Sequence, residues 1–332
     1  MLRRTFMAAA AALALTAGAA LADDSKPAIV FDIGGKFDKS FNESMFNGAE
    51  KFKAETGIAY GEFEIAQEAQ REQAIRNFAD QGYSPIIAAG FAQAAAVEKV
   101  AKEYPDLKFA IVDMVVDLPN VQSIVFKEHE GSYLVGMLAG MASKSGKVGF
   151  VGGMDIPLIR KFGCGYAQGV KAAKPDATIF QNMTGDTGAA WNDPVKGGEI
   201  TKGQMAQGAD VVYAAAGATG LGVLQAAADG GALSIGVDAN QNYLHPGKVL
   251  TSMMKRVDVA VYNVMKAGNA GFKPGIEALG LAEDGVGAAM DDNNKPLITP
   301  EMAKAVEQAK ADIISGKIKV HDYTEDNTCP VQ

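Results

Sequence analysis

Short runs rich in valine, isoleucine and alanine alternate with longer amphipathic segments along most of this 332-residue sequence. The predicted strands are residues 28–32, 63–66, 85–89, 109–113, 121–126, 148–152, 178–182, 211–215, 233–238 and 249–253. The predicted helices are residues 43–56, 71–81, 92–104, 130–143, 158–173, 194–207, 220–229 and 257–270. Strands that alternate with helices of this length form βαβ units, so the pattern predicts an α/β protein with parallel sheets.

The number of strands favours two lobes over one. About ten strands and about 310 residues exceed what one small doubly wound core holds. Chain breaks without a helix, at 114–121 and 242–249 and again near 285–296, are the predicted crossovers between lobes. We therefore expect two doubly wound lobes joined by a hinge. Lobe 1 is predicted to contain residues 27–118 and about 248–285, and lobe 2 residues 121–245, with residues 286–332 returning across the hinge.

The N-terminus has the pattern of a secretory signal peptide. Arg3 and Arg4 precede a small apolar stretch that ends in Ala20-Leu21-Ala22, so we expect cleavage after Ala22. The alternative is a membrane anchor, but the apolar part is short and alanine-rich for a spanning helix. Because the residue directly after the cleavage site is Asp23 and not cysteine, a soluble periplasmic protein is favoured over a lipoprotein.

The net charge of the chain limits the classes of partner that it can bind. Removal of residues 1–22 takes away two of the 31 basic residues and none of the 39 acidic ones, which leaves a net charge of −10. Such a charge disfavours nucleic acid and anionic membranes as partners.

Cysteine and histidine suggest no metal site. Cys164 and Cys329 are either one disulfide that ties the C-terminal tail to the second half or two free thiols. His129, His245 and His321 lack metal-ligand spacing. We expect no metal and no cofactor.

Charged residues follow several of the predicted strands. Asp32, Asp113, Asp238 and Lys255 each come at or just after the end of an apolar run, and Gly217 ends another. Ligands of such sheets bind beyond the carboxyl ends of the strands, which here face the cleft between the lobes. The alternative for each aspartate is an N-cap of the next helix.

Two aromatic residues are predicted at the rim of this cleft. Phe41 follows the first strand-end loop and precedes Asn42, and Trp191 precedes the helix predicted from Pro194. Two rings across a cleft can enclose a flat ligand by stacking. The alternatives are a hydrophobic staple for Phe41 and a packing contact for Trp191.

The glycine-rich stretch GATGLG, residues 217–222, does not have the spacing of a dinucleotide fingerprint. Its glycines favour a close approach of the backbone to an uncharged sugar edge.

Several of these segments together resemble one protein family. DKSFN after a strand ending in Asp, WNDPVKG, DVVYAAAGATGLGVLQAA, IGVDANQ and VLTSMMKR occur in the order typical of the basic membrane protein family of ABC-transporter substrate-binding proteins. The resemblance covers about residues 28–270. It implies the type I periplasmic-binding-protein fold, and studied members of the family include purine nucleoside receptors.

The resemblance also implies roles for the site residues. Phe41 and Trp191 would stack on the base. Asn42 and Asp113 would read the base edge. Asp238 would accept from ribose hydroxyls with Lys255 donating nearby, Gly217 would offer backbone groups, and Asp32 would orient the site or contact the ligand. Trp191 stands where the family often has Phe, and GATG replaces the commoner Gly-Gly-Thr-Gly.

Three functions compete on this basis. The first is a periplasmic nucleoside receptor, expected to be a monomer, that delivers its ligand to an ABC permease in the inner membrane. The second is a sensory receptor with the same fold. The third is a nucleoside-processing or NAD-dependent enzyme, which the absence of an intact fingerprint and of a histidine or cysteine beside a nucleophile disfavours.

Overall fold

The computed structural model describes residues 25–331. Its strands are β1 (Ala28–Phe31), β2 (Gly61–Glu64), β3 (Ile86–Ala88), β4 (Phe109–Val112), β5 (Val121–Phe126), β6 (Lys147–Met154), β7 (Thr178–Gly185), β8 (Val211–Ala215), β9 (Leu233–Asp238), β10 (Val249–Lys255), β11 (Gly275–Leu279) and β12 (Val286–Ala288). Its α-helices are α1 (Phe41–Thr56), α2 (Gln70–Asp80), α3 (Ala94–Glu103), α4 (Glu128–Ala142), α5 (Pro157–Ala173), α6 (Pro194–Ala206), α7 (Thr219–Asp229), α8 (Val257–Ala267) and α9 (Pro300–Ile314). The predicted alternation of strands and helices is thus confirmed.

The strands form two six-stranded sheets of equivalent order. The first sheet runs β2-β1-β3-β4-β5-β11 and the second runs β7-β6-β8-β9-β10-β12. The pairs are parallel except for β12, which is antiparallel to β10. The central strands β1, β4 and β8 are buried along their whole length because helices cover both faces of each sheet.

Three short segments connect the lobes, and we call them the hinge segments: Lys127, Arg256 and residues 280–285. The first follows β5, the second follows β10 and the third joins β11 to β12. Backbone hydrogen bonds join them, from Lys127 N to Leu279 O at 3.0 Å and from Arg256 N to Gly285 O at 2.8 Å. Each crossing occurs directly at the end of a strand.

The lobe boundaries predicted from sequence differ from this strand pairing. The prediction assigned residues 121–126 to lobe 2 and residues 248–255 to lobe 1. Strand β5 instead pairs with β4 in the first sheet, and β10 pairs with β9 in the second. The breaks at 114–121 and 242–249 are turns within one lobe, because turn residues mark where a strand stops and not which sheet it joins. The third predicted crossover, near 285–296, begins at the last residue of a hinge segment.

Two helices of the second lobe pack with their backbones in close contact. A Cβ at Gly136 of α4 would lie 2.2 Å from the Tyr166 carbonyl oxygen, and a Cβ at Gly169 of α5 would lie 2.0 Å from that of Tyr133. Only glycine fits at these positions, so the close α4–α5 pair depends on them.

The C-terminal tail is covalently bonded to α5 near the last residue of the tail. Cys164 of α5 and Cys329 form a disulfide with their Cα atoms 5.6 Å apart, so the disulfide alternative for this pair holds. Between β11 and the C-terminal tail, the chain forms β12 and α9, which the periodicity of the sequence did not reveal.

In the described part of the chain, no helix combines the length and the apolar character needed to cross a bilayer. The predicted signal peptide, residues 1–22, lies outside the described residues.

Candidate functional site

A cavity lies between the carboxyl ends of the two sheets. Its empty volume, which includes open solvent, is about 650 Å³. All eight residues predicted for the site line it: Asp32, Phe41, Asn42, Asp113, Trp191, Gly217, Asp238 and Lys255. The structure therefore brings together residues that are far apart in sequence, with Phe41 on the first lobe and Trp191 on the second.

Asp113 and Asp238 occupy equivalent positions in the two lobes. Asp113 follows β4 and Asp238 ends β9, each the fourth strand of its sheet. Both have a left-handed backbone, with φ of 71° and 64°. This conformation is uncommon for residues other than glycine, and such strain persists where the surrounding fold enforces it, often at functional sites. The cavity thus receives one carboxylate from each lobe by the same local geometry.

Asp238 makes a direct bond between the lobes. Ser40, at the start of α1, donates its hydroxyl to Asp238 Oδ2 at 2.5 Å. Gln241 Nε2 also donates to the Lys39 carbonyl oxygen at 2.9 Å. Burial raises the pKa of Asp238, with Lys255 and the Ser40 hydroxyl acting in the opposite direction. These two bonds hold α1 of the first lobe against the loop that follows β9.

Lys255 is paired with two carboxylates. Its Nζ lies 2.7 Å from Asp113 Oδ1 and 2.9 Å from Glu128 Oε1, and its side chain is 2% exposed. Burial alone would lower the pKa of Lys255, but Asp113 and Glu128 outweigh burial and raise it. The ammonium group therefore stays charged and links Asp113 of the first lobe to the second.

The pKa values of the two carboxylates that pair with Lys255, on Asp113 and Glu128, shift in opposite directions. Burial raises the pKa of Asp113 in spite of the neighbouring ammonium group. Burial acts on Glu128 in the same direction, but Lys255 and Lys161 together hold the pKa of Glu128 below its usual value. Glu128 was not predicted from sequence, because it is the first residue of a helix and does not end a strand.

Asp32 and Asn42 are largely engaged within the first lobe. Asp32 Oδ1 pairs with Arg71 Nη2 at 3.1 Å, and burial raises its pKa against the effect of Arg71. Asn42 Nδ2 donates to the carbonyl oxygens of Asp32 and Gly35, and its Oδ1 accepts from the Asp32 N–H at 3.3 Å. Asn42 thus holds the loop after β1 in place, with one lone pair of Oδ1 left for a further donor.

Asp38 is a cavity-lining acid that the sequence analysis missed. Its carboxylate accepts from the backbone N–H groups of Ser40, Asn42 and Glu43, and so fixes the first turn of α1. Burial raises its pKa to about 7 in spite of these three bonds. The sequence signal was an acidic residue just before a helix, which is typical of capping and gave no reason to expect a wall of the cavity.

The aromatic wall of the cavity contains one ring from each lobe, Phe41 and Trp191, and further apolar side chains. A Cβ at Gly153 would lie 2.2 Å from Trp191 Cζ3, so the indole lies directly on this glycine. The ring centre of Phe41 is 5.3 Å from Lys255 Nζ. Phe91, Leu158, Ile159 and Phe162 also line the cavity and were not predicted. They lie on or near the starts of helices, where apolar residues are equally typical of the core.

Gly217 lies at the turn after β8. Its φ is 56°, and a Cβ there would lie 3.4 Å from the Trp191 carbonyl oxygen. Ala215 and Ala216 line the cavity beside it, so backbone groups form this part of the wall. No group of three or more histidine, cysteine, aspartate or glutamate side chains suited to a metal ion occurs in residues 25–331.

Two α/β lobes with a cavity between the carboxyl ends of their sheets are typical of the class of periplasmic solute-binding proteins. The crystal structure of an ABC transporter system solute-binding protein from Aeropyrum pernix K1 has the same fold. It superposes with a TM-score of 0.83 at 29% identity, covering 91% of this chain and 95% of that one.

The sequence comparisons are more specific. The model of the Bmp family, described as ABC transporter substrate-binding protein PnrA-like, matches residues 26–324. The CD4+ T-cell-stimulating antigen of Listeria monocytogenes is 37% identical over 90% of this chain and 88% of its own length. The ABC transporter nucleoside-binding protein BmpA of Lactococcus lactis is 34% identical, over 90% and 89%.

The chain therefore belongs to the Bmp family of ABC transporter substrate-binding proteins. It binds a small molecule for an ABC permease and is not an enzyme. The predicted family and the two-lobed fold are confirmed.

Proposed function

We propose that this protein captures a nucleoside, with purine nucleosides preferred, between its closing lobes. The observation that carries the proposal is the convergence of Phe41, Trp191, Asp113 and Asp238 on one cavity. Two aromatic rings suit a flat base, and a carboxylate accepts two charge-assisted hydrogen bonds from a cis-diol. The name of the Lactococcus lactis relative, a nucleoside-binding protein, points the same way.

In this proposal both lobes contact the base, and the second lobe also reads the ribose. Phe41 and Trp191 stack on the base, and Asp113 reads its edge together with the free lone pair of Asn42. Asp238 accepts from the ribose hydroxyls, with Lys255 and the backbone at Gly217 nearby. Asp32, held by Arg71, orients the loop that carries this wall.

The charges around the cavity favour an uncharged ligand over a nucleotide. Lys255 is neutralised by Asp113 and Glu128, and Arg71 by Asp32. A phosphate would also face Asp238, and Asp38 in the fraction of molecules in which Asp38 is ionised. Like charges at close range reject a ligand as effectively as good contacts attract another.

Isothermal titration calorimetry with inosine, guanosine, adenosine and inosine 5′-monophosphate tests the proposal. We expect tight binding of at least one nucleoside and binding of the monophosphate at least about 100-fold weaker, because charge repulsion in a buried site costs several kcal/mol. Asp238→Asn should weaken the nucleoside by about 10-fold or more. Binding of a sugar or an amino acid with no response to any nucleoside would refute the ligand class.

We also propose that the protein acts as a monomer in the periplasm after cleavage behind Ala22, and that the closed form docks on the permease. The first cysteine of the chain is Cys164, so no cysteine is available near that site for lipid attachment. Mass spectrometry of the exported protein should find Asp23 as the first residue.

A further inference from the structure

Five side chains of alternating charge run from the cavity to the C-terminal tail, and we call them the charge chain: Asp113, Lys255, Glu128, Lys161 and Asp322. Beyond the Asp113–Lys255–Glu128 contacts, Lys161 Nζ lies 3.1 Å from Glu128 Oε2 and 3.1 Å from Asp322 Oδ2. Each neighbouring pair therefore carries opposite charges.

The charge chain is buried almost to its end. The exposed fractions of the Glu128 and Lys161 side chains are 1% and 10%, and that of Asp322 is 17%. The two Glu128 oxygens face different ammonium groups, one on Lys255 and one on Lys161. Because water does not screen these contacts well, a change of charge at one member of the charge chain alters the electrostatic energy of the next member.

The tail holds Asp322 in place through several bonds to α5. Gln168 Nε2 donates to the His321 carbonyl oxygen at 3.0 Å, and its Oε1 accepts from the His321 N–H at 2.9 Å. The Cys164–Cys329 disulfide closes the far end of this segment. Lys161, Cys164 and Gln168 are spaced by three and four residues, so they share one face of the helix.

We propose that the tail is a positioning element of the ligand site, in which Asp322 acts through Lys161 and Glu128 to fix the Lys255 ammonium group beside Asp113. Without the Asp322 charge, Lys161 would draw the Glu128 carboxylate toward itself and away from Lys255. Asp322, Lys161 and Glu128 do not need to touch the ligand for this effect. The position of Lys255 can be tested without any ligand, whereas the consequence for affinity rests on the proposed nucleoside function.

The direct test follows the ¹⁵N NMR signal of the Lys255 ammonium group in the full mature protein, assigned by its loss in Lys255→Met. Asp322→Asn should shift this signal. The matched control Asp326→Asn, which removes another tail carboxylate that bonds Thr328 and His321, should leave it in place. An unchanged Lys255 signal in a folded Asp322→Asn protein would overturn the proposal.

Inosine affinity gives a second readout. Asp322→Asn should weaken binding about threefold to tenfold, the range usual for residues that act through others, and Asp326→Asn should not. In the Glu128→Gln background the same change should have little further effect, since the link is already broken. Full additivity of the two losses would contradict coupling through Glu128.

The two proposals fail in different ways. If no nucleoside binds the wild-type protein but Asp322→Asn shifts the Lys255 signal, the proposed function fails and the positioning role stands. If inosine binds and neither its affinity nor the signal responds, the positioning role fails. Should Asp322→Asn unfold, Thr324→Val removes the hydroxyl that donates to Asp322 Oδ1, while the backbone N–H of residue 324 and the charge of Asp322 remain. A smaller shift in the same direction is expected.

Discussion

Asp113 and Asp238 combine two unfavourable features at single residues, a left-handed backbone and a buried carboxylate. Asparagine tolerates this backbone and matches the shape of aspartate. Asp113→Asn should therefore keep the local conformation while it leaves Lys255 with one carboxylate partner. Because a buried ammonium group with weaker pairing is costly, Asp113 contributes to stability as well as to the proposed recognition.

The buried His129 makes stability depend on pH. Burial, with Lys161 as the next cause, lowers the pKa of His129 to about 4. Between about pH 6.5 and 4 the unfolded chain binds a proton at this histidine that the folded chain does not, so folding stability falls as pH falls. Asp322 and Glu128 face the ring and favour its charged form, but their effect is smaller than that of burial and Lys161.

Chemical denaturation at pH 7 and pH 5 checks this expectation. Wild type should lose stability relative to His129→Asn by up to about 1.4 kcal/mol per pH unit. His245→Asn, which removes a histidine away from Lys161 and Asp322, controls for the loss of a histidine as such. A stability difference between wild type and His129→Asn that is constant from pH 7 to pH 5 would contradict the assigned burial effect.

At the scale of residues, the sequence revealed carboxylates that line the cavity and concealed the charged residues that pair with the cavity wall. Asp32, Asp113 and Asp238 could be predicted because each ends an apolar run, and parallel strands bring such ends together. Arg71 and Glu128 could not, because their partners Asp32 and Lys255 lie on other elements and a charged residue on a helix is usually exposed. Pairing across elements is a property of the tertiary fold.

At the scale of elements, the glycines between α4 and α5 allow a clear test. Gly169→Ala would place a methyl group 2.0 Å from the Tyr133 carbonyl oxygen. We expect a loss of about 1–3 kcal/mol in unfolding free energy from overpacking, measured by urea denaturation.

Gly203 on α6 is the matched control for this substitution. A Cβ at Gly203 meets no atom within 4 Å. Gly203→Ala should be neutral or should stabilise by up to about 1 kcal/mol, because alanine favours the helix. Equal effects of the two substitutions would show that the α4–α5 distance is not set by these glycines.

Most of the strands that periodicity predicted have strong apolar character, although β2 and β7 were predicted and are largely unburied. All four residues of β4 are buried. The strand β11 was missed because four of its five residues are exposed, and β12 because it has three residues. The lobe boundaries were placed wrongly for a related reason: the apolar pattern of β5 and β10 is the same whichever sheet they join.

For the whole molecule, the direct bonds between the lobes predict how tightly a ligand is held. Ser40→Ala removes the hydroxyl that donates to Asp238 across the cleft. We expect a loss of about 0.5–1.5 kcal/mol from the closed form, seen mainly as faster inosine dissociation in stopped-flow experiments. Ser315→Ala, at the end of α9, is the control. An unchanged dissociation rate would argue against this bond as a closing contact.

The hinge segments have a mechanical consequence. Lys127 bonds Leu279, and Arg256 bonds Gly285, so the three connections are joined to one another by their backbones. Three joined connections resist twisting and sliding and leave bending as the easiest motion of one lobe relative to the other. A ligand too large for the cavity would therefore hold the two lobes apart along the whole mouth of the cavity, instead of displacing one part of its wall. The permease could then detect a poorly fitting ligand from the angle between the lobes alone.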